Sequence, residues 1–252
     1  MSNHLYYTSK SSFSIKTPMR ANFILDQIFA APIEGEVFLR LAGSERLPLT
    51  AGQLWLGDSD PLSELLPTAL YPAMDEEGQW YLAGSIPSEW QPGDRLNLRG
   101  PVGRGFTLPR TSRRVACVSL DERMYYLSPL MRQAFLQAAE VVYCGPPTPI
   151  RLPPWVEMFT LDQWQEWWEW AEYIAVQGSL LAAGTFFNRL AEKFLPASRR
   201  VPIEVLIHSQ IPCGGMAECG VCAVPTRRKW LLICRNGAVF DGYQLEWSVI
   251  EG

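Results

Sequence analysis

The sequence predicts an α+β chain of several domains: an N-terminal antiparallel β-barrel, a central α/β region on a parallel sheet, and a small cysteine-rich C-terminal domain. Three observations carry this. From about Ala21 to Phe106, short β-rich runs are punctuated by Gly and Pro with no long helical period. From Arg114, strand-like runs alternate with helical ones, the pattern of right-handed βαβ crossovers. Four cysteines then crowd into the C-terminal segment as Cys213-x5-Cys219-x2-Cys222-x11-Cys234. The expected domains are 20–108, 112–200 and 203–250.

In the barrel, runs such as Glu36 to Leu41 and Gln53 to Leu56 read as strands. The α/β region reads as strand 114–119, helix 124–139, strands 140–144 and 156–159, helix 161–171, strand 173–176, helix 180–194 and strand 203–207. In the Trp-rich helix, Trp164, Trp167, Trp168 and Ala171 share one face by their i, i+3, i+4, i+7 spacing and should pack on the sheet. Trp170 falls off that face, either as an isolated exposed aromatic or as a docking anchor. Cys117 and Cys144 lie in apolar runs and read as small buried hydrophobes.

At 252 residues the chain has ample material for two ordinary domains plus an appendage. A net charge of −4 offers no basic surface to a phosphate backbone, so nucleic acid is not an expected partner. The longest apolar region, Tyr173 to Phe187, is broken by Gln177, Gly178, Ser179, Gly184 and Thr185 and is too short to span a bilayer. The first twenty residues have no apolar core and do not read as a signal peptide, which makes the cytoplasm the expected location. Two histidines leave little material for hydrolase triads or His-based metal hydrolysis, and no catalytic residue is assigned.

The cysteine spacing points to iron and sulfide. Plant-type [2Fe-2S] sites take three thiolates from a tight loop close to C-x4-C-x2-C and a fourth from a distant strand; here the first gap is one residue longer. Gly214, Gly215 and Gly220 let the loop turn backbone N–H groups toward an anionic cluster. Apolar runs at Val221 to Val224 and Trp230 to Cys234 flank the turn-like Pro225-Thr226-Arg227-Arg228-Lys229, so a hairpin should carry Cys234 back beside Cys222. The expected ligands are Cys213, Cys219, Cys222 and Cys234. Zinc in a scaffolding subunit is the alternative, although structural zinc usually takes two close pairs and His208 is the only histidine near.

Barrel, α/β region and cysteine segment together resemble the electron-transfer subunit of type B dihydroorotate dehydrogenase, in the ferredoxin–NADP reductase superfamily, from about residue 20 onward. The likeness is most specific in Cys234-Arg235-Asn236-Gly237-Ala238-Val239-Phe240 and in Gly93-Asp94-Arg95-Leu96-Asn97-Leu98-Arg99-Gly100-Pro101-Val102-Gly103-Arg104-Gly105-Phe106, with Ala51-Gly52-Gln53 resembling the family's Pro-Gly-Gln. It implies pyrimidine biosynthesis, FAD between barrel and α/β domain, and a [2Fe-2S] cluster exchanging electrons with a catalytic oxidoreductase subunit. That partner would be a flavin-containing dihydroorotate dehydrogenase, docked on the loop 214–220 near Met216, Ala217 and Glu218.

Two motifs depart from the family. Its flavin-gripping Arg-x-Tyr-Ser aligns with Ala69-Leu70-Tyr71-Pro72, which keeps only Tyr71 to face an isoalloxazine ring. No Lys or Arg between Arg46 and Arg95 supplies the missing cation. The glycine-rich turn after the first α/β strand is replaced by Val118-Ser119-Leu120-Asp121-Glu122-Arg123, and the Cys-Gly-Pro landmark reads Val176-Gln177-Gly178. Side chains on that turn block close backbone approach, and Asp121 and Glu122 repel a pyrophosphate. The expectation is a [2Fe-2S] electron-transfer subunit that has lost NAD(P) binding, with a flavin-retaining reductase as its alternative.

Overall fold

Period-two alternation of apolar and polar residues closes the first sheet into a barrel. The computed structural model describes residues 19–43, 47–59, 66–147, 151–191 and 201–250. Its first six strands are β1 (Met19–Ala30), β2 (Val37–Ala42), β3 (Leu54–Asp58), β4 (Thr68–Met74), β5 (Trp80–Gly84) and β6 (Arg95–Val102). They pair antiparallel in the order β1-β2-β5-β4-β3-β6, and β6 returns to β1. Leu25, Leu39, Trp55, Leu70, Leu82 and Leu98 fill the interior. Fully burying each such side chain is worth about 1.5–3 kcal/mol. The alternate residues Leu54, Leu56, Tyr71 and Ala73 face outward and join a second core shared with the α/β region.

The second sheet is built from β7 (Arg114–Ser119), β8 (Glu140–Cys144), β9 (Val156–Phe159), β10 (Tyr173–Gly178) and β11 (Ile203–Ile207), all parallel, in the order β9-β8-β7-β10-β11. Continuous apolar runs are what strands covered on both faces require, and β10 is buried along its whole length. The connections carry α1 (Ser128–Leu136), α2 (Trp164–Trp170) and α3 (Leu180–Ala191). The helical stretch expected over 124–139 is split into a 3₁₀ turn at Met124–Tyr126 and α1, which carries Pro129 at its start. Thr160 and Gln163 form a capping box ahead of α2. Trp167 and Ala171 are buried, and Trp170 is half-buried against the same core as Trp164 and Trp168 rather than standing free. Cys117 and Cys144 are fully buried, and burial pushes both thiols up. The end of the helix expected over 180–194 lies outside the described residues.

The C-terminal segment is not set apart as the sequence suggested. Its first strand is β11 and its last is β14 (Val239–Asp241), which pairs antiparallel with β11 and completes the six-stranded sheet. The physical reason is that β11 would otherwise present an unpaired edge. Between them the chain leaves the sheet, forms the hairpin β12 (Ala223–Pro225) and β13 (Trp230–Leu232), and enters the one-turn helix α4 (Ile233–Asn236). Among the described residues no helix is long and apolar enough to cross a membrane.

Candidate functional site

The excursion between β11 and β14 carries the four cysteines, and the barrel holds it in place. Arg99 on β6 donates a 2.9 Å hydrogen bond to the Gly214 carbonyl. Gly215 has φ +83°, and a Cβ there would come within 2.5 Å of Leu56 Cδ1 and 2.6 Å of an Arg99 nitrogen, so a side chain would add left-handed strain and displace both neighbours. The hairpin then does what its sequence pattern requires. Ala223 pairs with Leu232, and the Ile233 amide donates 3.1 Å to the Cys222 carbonyl, which sets Cys234 beside Cys222.

All four thiols are free; Cys219 is the thiol neighbour of Cys213, and Cys222 that of Cys234. Backbone N–H groups of Gly215, Ala217 and Glu218 point at the Cys213 sulfur, and the Ala217 amide also reaches Cys234. Burial opposes ionisation at Cys213, yet the Cys219 thiol and these amides bring it down to about 6. Burial and the neighbouring Cys222 and Cys213 push Cys234 up to about 12. Cys213, Cys222 and Cys234 are buried while Cys219 is exposed, so the group has an inner end and an outer one. Among the described residues no three His, Cys, Asp or Glu side chains converge as a set for a single metal ion.

Tyr71 lies on β4, buried on the barrel's outer face. Its ring packs on Tyr126 at 4.8 Å and 46°, and its hydroxyl is enclosed without a hydrogen bond of ordinary geometry. Burial pushes its phenol well up. Tyr126 therefore packs on the ring that the resemblance gives to a flavin.

Next to it, between β7 and β10, the strand order reverses; in open α/β sheets this switch point is where ligands bind. Here side chains fill it. Asp121 stands 2.7 Å from His208 Nε2, accepts 2.8 Å from Gln177 Nε2 and accepts 2.9 Å from the Arg123 amide. Gln177 also donates to Ser119. Leu120 packs over Gly178, where an added Cβ would meet it at 3.0 Å. Burial works against the Asp121 charge, but hydrogen bonds from His208 and Gln177 outweigh it and hold the carboxyl well below its ordinary range.

Arg123 extends this network to the barrel through a 2.7 Å ion pair with Glu36, a buried carboxylate that also accepts from the hydroxyls of Tyr125 and Tyr126. The result is a satisfied chain of charges running from β2's entry to the loop after β11. Glu36, Arg99, Arg123, Tyr125, Tyr126 and His208 were not assigned these roles from sequence, since their contacts join residues far apart in the chain. The legible signal was a buried charge within an apolar setting, as at Glu204 in β11, which Arg104, Thr107 and Tyr173 satisfy.

No family model matches the sequence. Similar folds occur among solved structures. The NADH-dependent reduced ferredoxin–NADP oxidoreductase, described for flavin-based electron bifurcation, aligns at TM-score 0.65 and 14% identity over 91% of each chain. The ferredoxin–NADP+ reductase from Plasmodium falciparum aligns at 0.54 and 8% over 78% of this chain and 98% of that one. The ferredoxin reductase in carbazole 1,9a-dioxygenase aligns at 0.51 and 16% over 71% of this chain and 65% of that one. Barrel, five-stranded parallel core and their junction together give this chain the fold of the ferredoxin reductases.

Proposed function

We propose that this chain is an electron-transfer subunit in which Cys213, Cys219, Cys222 and Cys234 hold a [2Fe-2S] cluster and pass electrons to or from a partner oxidoreductase. The observation that carries the reading is the hairpin that returns Cys234 beside Cys222, next to the glycine-rich loop that carries Cys213 and Cys219, with all four thiols free. In a two-iron cluster each iron takes two protein thiolates and shares two sulfides, so the four cysteines of this loop and hairpin would supply the full ligand set. The N–H groups of Gly215, Ala217 and Glu218 would stabilise the thiolate and cluster charge. When bound, the cluster would supply one-electron exchange. The chain's own residues fix the loop, bury the inner thiols and leave Cys219 toward solvent.

Met216 and Val221 are exposed on the segment that carries Cys219, and this segment is the docking face assigned to a protein partner. The resemblance nominates a flavin-containing dihydroorotate dehydrogenase catalytic subunit. Nicotinamide binding is not part of this reading, because Leu120 and the Asp121 network take the space at the switch point. The resemblance places FAD at the junction of barrel and α/β region, where Tyr71 is the gripping residue that is kept, Tyr126 packs on it at a tilt, and Ala69 and Pro72 stand at the other motif positions.

The test is anaerobic purification with iron, sulfide, zinc and flavin quantified together, then mixing with the reduced catalytic subunit and following cluster bleaching by stopped-flow absorbance. Brown protein that bleaches on mixing, more slowly in Met216→Lys, is expected. A cluster left oxidised by that subunit removes the nominated partner, and colourless zinc-loaded protein removes the cluster.

A further inference from the structure

A cavity of about 240 Å³ lies between barrel and α/β region, apart from the cysteine group and sharing only Tyr125 with the Glu36 network. Tyr126 separates it from Tyr71: Tyr71 meets Tyr126 at 4.8 Å, Tyr126 meets Tyr125 at 4.9 Å, and Tyr125 forms part of the cavity wall. The barrel side is aromatic, with Phe38 edge-on to Tyr125 at 5.0 Å and Tyr81 edge-on to Phe29 at 5.9 Å. Trp155 lines the opposite side and is stacked on Phe135 at 4.5 Å. Buried Met124 and Met131 contribute polarisable, adaptable surface.

Most of the polar groups on the lining are already engaged. The Ser128 hydroxyl donates 2.7 Å to the Tyr125 carbonyl and accepts 2.9 Å from the Met74 amide. Asp75 accepts from the Tyr81 hydroxyl at 2.9 Å and the Gln79 amide at 2.7 Å, and Glu76 is exposed. Half-buried Arg132 and exposed Arg151 also line the cavity, and among the described residues neither has an ion-pair partner. Arg132 lies over the Phe135 ring at 5.6 Å, part of the same stack as Trp155.

An apolar hollow with a few convergent polar groups is the general form of a small-molecule site, and most such sites measure roughly 300–1,000 Å³. This one is smaller and suits one or two rings. Aromatic walls favour a planar ring in offset or edge contact, and arginines at its rim favour a carboxylate. We propose that the cavity binds a small planar aromatic carboxylate, its ring between the Phe38–Tyr81–Tyr125 wall and Trp155, its carboxylate on Arg132 and Arg151.

The experiment is isothermal titration calorimetry of the full chain with 2-naphthoate and with uncharged 2-naphthalenemethanol. Wild type should bind 2-naphthoate at least about tenfold more tightly than the alcohol, a difference of about 1.4 kcal/mol. Arg132→Gln/Arg151→Gln should bring 2-naphthoate down to the level of the alcohol and leave the alcohol unchanged, with an unaltered melting temperature showing that the fold is intact. No binding of 2-naphthoate at millimolar concentration overturns the proposal. So does equal binding by wild type and the double variant.

Discussion

The guanidinium of Arg99 on the barrel hydrogen-bonds the carbonyl of Gly214 in the cysteine loop at 2.9 Å, so the loop's shape is set by a strand far from it in sequence. Gly215, one residue further on, sits beneath the same guanidinium.

Gly215→Ala should therefore destabilise the fold and lower iron incorporation together. The new carbon meets Leu56 and Arg99 at 2.5 and 2.6 Å in a left-handed backbone. Gly220→Ala is the control, because its φ is +73° but its Cβ meets nothing within 4 Å. Only the left-handed strain of about 1–2 kcal/mol applies there, and Gly215→Ala should exceed it in urea unfolding. Equal effects would show that the loop is not packed on the barrel as described.

Glu36 links the two halves of the molecule. Its carboxylate is 8% exposed and serves Arg123, Tyr125 and Tyr126 at once. Glu36→Ala leaves a cation and two hydroxyls without their acceptor and should cost about 3–5 kcal/mol. A loss under about 1 kcal/mol in chemical denaturation would mean that the network contributes little to docking the barrel.

The Asp121 carboxyl titrates below its ordinary range in the folded chain, because His208 and Gln177 favour its charge against the opposing effect of burial. An unfolded Asp takes up its proton near pH 4, so below that the unfolded state binds more protons and stability falls with pH. The contribution is fully present above about pH 4 and is lost as pH drops further. Melting temperature followed from pH 7 to about pH 2 should show a shallower acid limb in Asp121→Asn, which should also be less stable by about 2 kcal/mol at neutral pH. An unchanged acid limb would place the titration elsewhere.

Much of the fold was legible because its signals are local. Apolar runs at 114–119, 140–144 and 203–207 reappear as β7, β8 and β11 with the same or nearly the same bounds, since strands covered on both faces need continuous hydrophobic sequence. The hairpin that returns Cys234 to Cys222 was likewise written into two short apolar runs about a turn. Other features rest on distant partners. Nothing near Val239 says that it pairs with Leu206 at the sheet edge, and nothing near Glu36 says that it meets Arg123 and Tyr125, 87 and 89 residues away. The replaced glycine turn was visible at Ser119 to Arg123, but its filling by His208 and Gln177 needed the fold.

Electron paramagnetic resonance of the anaerobic, dithionite-reduced protein, with metal and acid-labile sulfide measured on the same sample, tests the central claim most directly. The account predicts a paramagnetic reduced cluster with two irons and two sulfides per chain, absent from Cys222→Ser and Cys234→Ser. A silent sample carrying one zinc per chain and no sulfide would contradict it.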